Sequence, residues 1–318
     1  MAVWRFLIRP LLPWLGRLAV ALVASFAVAW IAGTLFIRRA EPDPGTALPD
    51  GVPGRLILAG DRQVHVVEAG SGEPVILVHD FASSTLDWEE AILPALATSH
   101  RVIAIDLLGM GFSQRADDLD YGFGLWSRQI VDVMDALGIA RASVIGHSLG
   151  GAVAAIVAGE HPDRVEKLML IAPLVPLEQS ERPWFSRLLE IPGVGEMMLG
   201  TTDHLPRLSG VSDAYRARAR TILLRRGTRS ALLTYSRHGR DLPRLVAAYR
   251  EIRAPVLVVA GTADDVVPLV AIRQWTPAIH DALMLPIEGA GHWVMRDEPE
   301  KVRKVLAEFL ARDAAGAT

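Results

Sequence analysis

The sequence contains no cysteine, which excludes disulfide bonds, thiolate metal sites and a cysteine nucleophile. Lysine is nearly as scarce, because only three of the 33 basic residues are lysines. The chain also lacks a phosphate-binding glycine loop, a pair of histidines at zinc-binding spacing and a dinucleotide-binding fingerprint. We therefore expect neither a cofactor nor a metal ion in this protein.

Charge is distributed unevenly along the 318 residues, whose net charge is −3. Residues 1–40 carry five arginines and no acidic residue, and residues 176–250 carry 13 arginines against 7 acidic residues, which leaves −14 on the remainder. An acidic body without a basic stripe and interleaved aromatic residues argues against nucleic-acid binding. The arginines of residues 176–250 form either a solvated helical surface or a surface that faces anionic lipid headgroups.

One uncharged apolar run, residues 18–37, lies near the N-terminus. A helix of this length spans about 30 Å, the thickness of a bilayer hydrocarbon core, so the run predicts a transmembrane anchor. The flanking arginines slightly favour a cytoplasmic N-terminus, which would place the rest of the chain outside the cytoplasm, at a bacterial inner membrane. A cleaved signal peptide is one alternative, because Ala27-Val28-Ala29 resembles a cleavage site. A buried core helix is the other, although residues 18–37 leave no polar face for water.

Beyond this run, short β-rich segments alternate with helical patterns from residue 55 onward. Such alternation predicts an α/β fold, with a mostly parallel sheet covered by helices on both faces. The alternation stops over residues 176–250, which predicts an inserted helical cap. The predicted organisation is a basic segment (1–17), the anchor (18–37), a linker rich in proline and glycine (38–54), a core (55–175 and 251–312), the cap (176–250) and a tail (313–318).

Eight strands and five helices are predicted within the body. The strands are predicted from apolar runs at residues 56–58, 64–67, 75–78, 102–105, 143–145, 168–171, 256–260 and 283–285. The helices are predicted at residues 88–97, 126–137, 150–160, 269–275 and 300–310.

The strongest local pattern is Gly146-His147-Ser148-Leu149-Gly150, which reads G-x-S-x-G. An apolar run typical of a buried strand leads into it, and a run of small residues typical of a helix follows. The serine of such a turn points its hydroxyl off the sheet, and glycines are needed because other side chains would collide with the strand and the helix. Ser148 is therefore the candidate nucleophile, at a helix N-terminus that favours negative charge.

A serine hydroxyl becomes a good nucleophile only when a base removes its proton. His292 lies in a loop between the last predicted strand and the final helix, at the sheet edge where Ser148 emerges. The base in turn needs an acid that fixes its tautomer, and Asp264 follows a predicted strand at the same edge. Asp265 remains a rival to Asp264, because residue counting does not separate them.

Residues 55–310 resemble the α/β-hydrolase superfamily, and in particular its lid-bearing branch of serine esterases, monoacylglycerol-lipase-like enzymes and carbon–carbon bond hydrolases. Four motifs carry the resemblance: Val78-His79-Asp80-Phe81, the D-x-x-G-x-G-x-S loop at 106–113, the serine turn, and the loops of Asp264 and His292. The resemblance implies an eight-stranded sheet with a helical cap, and the chain order Ser, Asp, His agrees with it. A serine at position 148 excludes the related epoxide hydrolases and haloalkane dehalogenases, which place an aspartate there.

The resemblance also implies an oxyanion hole formed by the backbone N–H groups of Phe81 and Leu149. Loss of one such donor typically costs about 100- to 1000-fold in rate. Asp80 departs from the family pattern, which has glycine, and a carboxylate near an oxyanion is unfavourable unless it points away. We expect His79 and His147 to hold the surrounding loops, and Asp106 to bind backbone groups in its own loop.

These features predict a membrane-anchored serine hydrolase that cleaves a hydrophobic or lipid-like carboxylic ester through an acyl-enzyme. The alternatives are a carbon–carbon bond hydrolase or amidase of the same fold, and a non-catalytic ligand-binding protein. Four apolar cap residues either line an acyl pocket or join the cap to the core: Trp184, Phe185, Met197 and Met198. The expected partners are a small-molecule or lipid ester and the membrane.

Overall fold

The computed structural model describes residues 12–40, 48–116, 118–176, 194, 211–239 and 241–312. It contains a sheet of eight strands: β1 (Arg55–Ala59), β2 (Arg62–Ala69), β3 (Pro74–Val78), β4 (Arg101–Ile105), β5 (Ala142–His147), β6 (Val165–Ile171), β7 (Val256–Gly261) and β8 (Leu283–Ile287). The strand order is β1-β2-β4-β3-β5-β6-β7-β8. Strands β3 to β8 are parallel to one another, and β2 pairs antiparallel with both β1 and β4. All eight predicted strands are confirmed, each at most a few residues longer than its apolar run.

The central strands consist of almost continuous apolar residues because helices cover both faces of the sheet. Every residue of β5 and β7 is buried, whereas the edge strands β1 and β8 are partly exposed. One face packs against α4 (Phe123–Ala136), α5 (Leu149–Glu160), α8 (Leu242–Glu251) and α9 (Leu269–Trp275). The other face packs against α2 (Leu86–Glu89), α3 (Leu93–Leu96), α10 (Val294–Asp297) and α11 (Pro299–Ala311).

The single helix predicted over residues 88–97 is wrong, because the structure has the two short helices α2 and α3 instead. The break follows from Pro94, which has no N–H to donate and whose ring would clash with the carbonyl group four residues earlier in a continuous helix. Pro94 therefore lies in the first turn of α3, where its N–H is not needed.

The segment predicted as a cap is helical where the structure describes it. Helices α6 (Asp213–Leu223) and α7 (Thr228–Thr234) are followed by a π-helical turn (Tyr235–Gly239) and then by α8. Helix α8 packs against α5, and Arg244 forms an ion pair with Glu160 at 2.6 Å. We therefore propose that the cap ends before residue 242, earlier than the predicted boundary at 250. Residues 177–193 and 195–210 lie outside the described part of the chain, and with them Trp184, Phe185, Met197 and Met198.

Helix α1 (Leu12–Ala40) contains the predicted anchor and extends past both of its predicted ends. Its segment Gly16–Gly33 has a mean hydropathy of 1.7 and is the one described helix that is long and apolar enough to cross a membrane. No part of this segment is buried against the rest of the molecule. Several large apolar side chains are therefore exposed along it, among them Leu18, Val23 and Phe26.

The end of the predicted linker is packed rather than free. Leu48 and Val52 contact a small apolar cluster made of Leu86, Phe112, Tyr215, Ala219 and Ile222. The carbonyl oxygen of Pro53 lies 2.8 Å from Nε2 of His65 in β2. This part of the linker therefore lies against both the core and cap helix α6.

Candidate active site

Ser148 occupies the sharp turn between β5 and α5. Its φ of 52° and ψ of −115° are unfavourable for a residue with a side chain, and such strain costs on the order of 1–3 kcal/mol. Hydrogen bonds from Gly151 N–H and Leu174 N–H to its carbonyl oxygen hold the turn, both at 2.9 Å. The serine side chain therefore emerges at the carboxyl edge of the sheet, as the motif predicts.

Glycines surround Ser148 because the backbone passes too closely for side chains. A Cβ at Gly146 would lie 2.2 Å from the carbonyl oxygen of Gly150. A Cβ at Gly150 would lie 2.3 Å from the carbonyl oxygen of Val78, at the end of the neighbouring strand β3. The spacing of the glycines in the motif thus follows from the close approach of β5, α5 and β3.

His292 and Asp264 are brought together although 28 residues separate them. The distance from His292 Nδ1 to Asp264 Oδ2 is 2.8 Å, and neither side chain is more than 1% exposed. Because an ionised carboxylate can only accept a hydrogen bond, Nδ1 carries the hydrogen and donates it to Asp264, and Nε2 is left to face the site. This is the tautomer that a general base acting through Nε2 requires.

The structure separates Asp264 from its rival Asp265. Oδ1 of Asp264 accepts hydrogen bonds from the N–H groups of Val266 and Val267, both at 2.8 Å, so the carboxylate is fixed at both oxygens. Asp265 is exposed. Its effect on His292 is electrostatic: its negative charge helps to raise the pKa of the imidazole.

The pKa of His292 is raised above its ordinary value of 6.5. Burial opposes the charged imidazolium, but the hydrogen bond with Asp264 and the charges of Asp80, Asp264 and Asp265 outweigh that effect. His292 Nε2 is buried and makes no hydrogen bond to any described residue, Ser148 included. In enzymes without substrate, bonds between a nucleophile and its base are often long and shorten when substrate binds.

His147 and His79 hold backbone groups, which agrees with the structural roles expected for them. Nε2 of His147 lies 2.9 Å from the carbonyl oxygen of His292. Burial, opposed by the charge of Asp80, lowers the pKa of His147 and so favours the neutral ring. Nε2 donates this bond, because a carbonyl oxygen can only accept. Nε2 of His79 accepts a hydrogen bond from Leu107 N–H at 3.0 Å, and its Nδ1 donates to the carbonyl oxygen of Asp80 at 2.6 Å.

Asp106 organises the loops beneath the site more widely than the sequence indicates. It accepts hydrogen bonds from Phe112 N–H in its own loop at 2.7 Å and from Thr85 N–H in the neighbouring loop at 2.6 Å. It also pairs with buried His65 at 2.6 Å. Burial opposes its charge, but the His65 imidazole, the charge of His79 and the hydrogen bond from Phe112 N–H lower the pKa of Asp106.

The two backbone N–H groups predicted to form the oxyanion hole have different hydrogen-bonding surroundings in the structure. Leu149 is the first residue of α5, where backbone N–H groups have no partner within the helix. The N–H of Phe81 donates to Oδ1 of Asp80 at 2.5 Å, and Oδ2 of Asp80 lies 3.9 Å from His292 Nε2. The carboxylate of Asp80 therefore points into the site, which is the unfavourable case foreseen from the sequence.

The cap contacts the site through polar and aromatic groups that sequence analysis does not single out. Tyr215 of α6 donates a hydrogen bond to Asp87 at 2.5 Å, and Arg296 of α10 donates one to the Tyr215 oxygen at 3.0 Å. The rings of Phe81 and Tyr235 have centroids 5.3 Å apart. No sequence motif marks these residues, because their partners lie 81 or more positions away along the chain.

Metal-binding groups do not cluster in the described ranges. Across them, no set of three or more His, Cys, Asp or Glu side chains is arranged to hold a metal ion. The charged and polar groups near Ser148 instead form the His292–Asp264 pair and the contacts of Asp80.

Comparison with known proteins gives a consistent pattern. A family model described as the α/β-hydrolase fold matches residues 73–195. The 2-hydroxymuconate semialdehyde hydrolase of Pseudomonas sp. (strain CF600) is 28% identical over 278 residues, which cover 83% of this chain and 96% of that protein. The dihydrolipoyllysine-residue acetyltransferase component of the acetoin cleaving system of Pseudomonas putida is 32% identical over 80% of this chain and 68% of its own length.

A solved structure shows the same architecture. The crystal structure of a serine hydrolase involved in carbazole degradation matches with a TM-score of 0.68 and 28% sequence identity. The match covers 81% of this chain and 98% of that one. The sequence matches and the structural match therefore both identify α/β-hydrolase relatives for the part of the chain that contains the sheet.

Proposed function

This chain belongs to the α/β-hydrolase superfamily and is an enzyme, and from this premise we propose that it is a serine hydrolase with Ser148 as nucleophile. In this proposal His292 is the general base and Asp264 is the acid that orients it. The observation that carries the proposal is the buried contact of 2.8 Å between His292 and Asp264 at the sheet edge where Ser148 emerges. This membership makes a non-catalytic binding protein the weaker alternative.

The proposed reaction proceeds in two steps. Ser148 Oγ attacks the substrate carbonyl carbon while His292 Nε2 takes its proton, and the resulting imidazolium is stabilised by Asp264. His292 then gives that proton to the leaving group, and the acyl group stays on Ser148. A water molecule, deprotonated by the same histidine, releases the acid. The Leu149 N–H at the start of α5 stabilises the oxyanion of both tetrahedral intermediates.

The bond that is cleaved is proposed first to be a carbon–carbon bond. The relative from strain CF600 is named for hydrolysis of 2-hydroxymuconate semialdehyde, and it is matched over nearly its whole length. In this chemistry the leaving group is a carbon atom stabilised as an enolate, which His292 protonates. The same three residues serve, because only the leaving atom differs.

A carboxylic ester is the second candidate, with a hydrophobic or lipid-like acyl group. Helix α1 favours it, since an apolar helix of membrane-spanning length, whose segment Gly16–Gly33 is not buried, would keep the enzyme near lipid. An amide substrate would require the same residues, and no observation favours it.

The test compares the wild-type protein with Ser148→Ala. We expect a fluorophosphonate probe to label the wild-type protein and not the variant. A 2-hydroxy-6-oxo-dienoate, followed by loss of its conjugated absorbance, and p-nitrophenyl esters of increasing chain length then assign the bond. A wild-type protein that stays unlabelled, and is as inert as the variant on both substrate classes, contradicts the proposal.

Helix α1 is proposed to be an uncleaved membrane anchor with the enzyme body on the extracytoplasmic side. We expect the full-length chain to sediment with bacterial inner membranes and to be released by detergent but not by carbonate at high pH. A chain whose N-terminus begins after Ala29 and which fractionates without membranes would instead identify a cleaved signal peptide.

A further inference from the structure

The Asp80 carboxylate occupies the backbone N–H group of Phe81, one of the two groups that the family resemblance implies for the oxyanion hole. Its Oδ1 accepts the N–H of Phe81 at 2.5 Å, and its Oδ2 lies 3.9 Å from Nε2 of His292. The residue is only 7% exposed, so little solvent screens its charge. A carbonyl oxygen held by Phe81 N–H, with its carbon next to Ser148, would occupy the space that this carboxylate fills.

The backbone around Asp80 is fixed, so the side chain alone can clear this space. The carbonyl oxygen of Asp80 accepts hydrogen bonds from the ring of His79 at 2.6 Å and from Ser83 N–H at 3.3 Å. The ring of His79 is itself held by Leu107 N–H. Phe81 N–H is therefore released only when the Asp80 carboxylate turns toward another partner.

A substrate that offers no hydrogen-bond donor to the Asp80 carboxylate reacts slowly. A negative charge developing on the carbonyl oxygen is repelled by the neighbouring carboxylate, and the second oxyanion donor remains engaged. Loss of one donor typically lowers the rate by about 100- to 1000-fold. Leu149 N–H would then be the remaining donor to the oxyanion.

A hydroxyl or ammonium group on the carbon next to the reacting carbonyl removes both obstacles, the repulsion by Asp80 and the engagement of Phe81 N–H. Such a group lies within hydrogen-bonding reach of a carboxylate that touches the carbonyl oxygen, so it can donate to Asp80 in place of Phe81. The amide is then free for the oxyanion. Sites that hydrogen-bond a substrate donor discriminate strongly against the analogue that lacks it, because the buried polar group loses its partner.

We propose that Asp80 is a specificity-determining residue, which selects carbonyl substrates that carry a hydroxyl or ammonium group beside the reacting carbonyl. This inference rests on the proposed function of Ser148 and His292 and identifies the substrate class of that site. The donor lies on the acyl side of the carbonyl, whichever atom leaves. A 2-hydroxy-6-oxo-dienoate that carries no such group beside its C6 carbonyl on that side should therefore be a slow substrate of the wild type.

The experiment uses two matched esters, phenyl butyrate and phenyl 2-hydroxybutyrate, with the full-length wild type and three variants. Asp80→Gly restores the family residue and removes the carboxylate. Asp80→Asn keeps the size and the acceptor for Phe81 N–H but removes the charge. Asp265→Asn is the matched control, because it removes an exposed carboxylate that acts on His292 only at a distance.

We expect the wild-type kcat/KM to favour the hydroxy ester by about tenfold or more. Asp80→Gly should raise kcat/KM for phenyl butyrate about tenfold or more and abolish the preference for the hydroxy ester. The preference of Asp80→Asn should lie between those of the wild type and Asp80→Gly. Asp265→Asn should keep the wild-type ratio. A neutral fluorophosphonate needs the same amide for its phosphoryl oxygen, so it should label Asp80→Gly about tenfold faster than the wild type.

The outcomes separate the two proposals. If the wild type is labelled at Ser148 but Asp80→Gly is labelled no faster, and any ester preference is the same in both, Asp80 does not set specificity and the serine hydrolase assignment stands. If neither the wild type nor Asp80→Gly is labelled, the assignment of Ser148 is wrong and the inference about Asp80 fails with it. Equal melting temperatures of the variants exclude misfolding as the cause.

Discussion

His147 donates a hydrogen bond from Nε2 to the backbone carbonyl oxygen of His292 at 2.9 Å. This bond joins the residue before the proposed nucleophile to the residue proposed as its base, across 145 positions of the chain. The ring centroids of the two histidines lie 5.0 Å apart. The turn after β5 and the loop after β8 are therefore held as one unit.

Replacement of His147 by alanine should impair both turnover and stability. The variant leaves the His292 carbonyl oxygen buried without its donor, which costs about 1–3 kcal/mol, and it allows the His292 loop to move relative to Ser148. We expect kcat to fall about tenfold or more, since small displacements of reacting groups are costly. Steady-state kinetics and thermal unfolding measure the two effects. His280→Ala, at an exposed histidine, is the control, and an equal loss there would refute the positional role.

Replacement of Asp264 by asparagine should lower kcat/KM by on the order of 10³- to 10⁴-fold, because the amide favours the wrong tautomer of His292. Asp265→Asn should lower it by less than tenfold, since that side chain is exposed and makes no hydrogen bond with His292. Kinetics with the best substrate found for the wild type measures both. A larger loss from Asp265→Asn would reverse the assignment of the acid.

The acidic limb of the kcat/KM profile should lie above pH 6.5. His292 must be neutral to accept the Ser148 proton, and its pKa is raised, so activity falls as the pH drops through that elevated value. Asp80→Asn removes one of the carboxylates that favour the imidazolium and should move the limb to lower pH. A pH–rate series on both proteins tests this, and a limb that does not move would show that Asp80 exerts no field on His292.

Replacement of Gly146 by alanine should destabilise the fold severely, because the added Cβ would lie 2.2 Å from the Gly150 carbonyl oxygen. Gly138→Ala is the comparison, since Gly138 has a φ of +66° but no atom within 4 Å of an added Cβ. That variant should lose only about 1 kcal/mol, the cost of a left-handed conformation. Chemical denaturation measures both, and similar losses would mean that the turn after β5 can expand.

Much of the fold could be predicted from local patterns. The central strands are apolar runs typical of a sheet buried on both faces, and the glycines around Ser148 reflect the close approach of neighbouring backbones. The break at Pro94 was also present in the sequence, because proline disrupts the interior of a helix whatever its surroundings. The helical pattern of the flanking residues nevertheless suggested one continuous helix.

Only the tertiary structure reveals that Asp264, and not Asp265, contacts His292. The same holds for the direction of the Asp80 side chain and for the contact of Tyr215 with Asp87. Each depends on a distance between elements that are remote in sequence, or on a side-chain conformation selected by its packing. The sequence by itself determined which segments form strands and which serine lies in the strained turn, since these follow from the nearest neighbours along the chain. A buried polar group without a hydrogen-bond partner is costly, so each such group must find one. Which partner lies within reach depends on the whole fold.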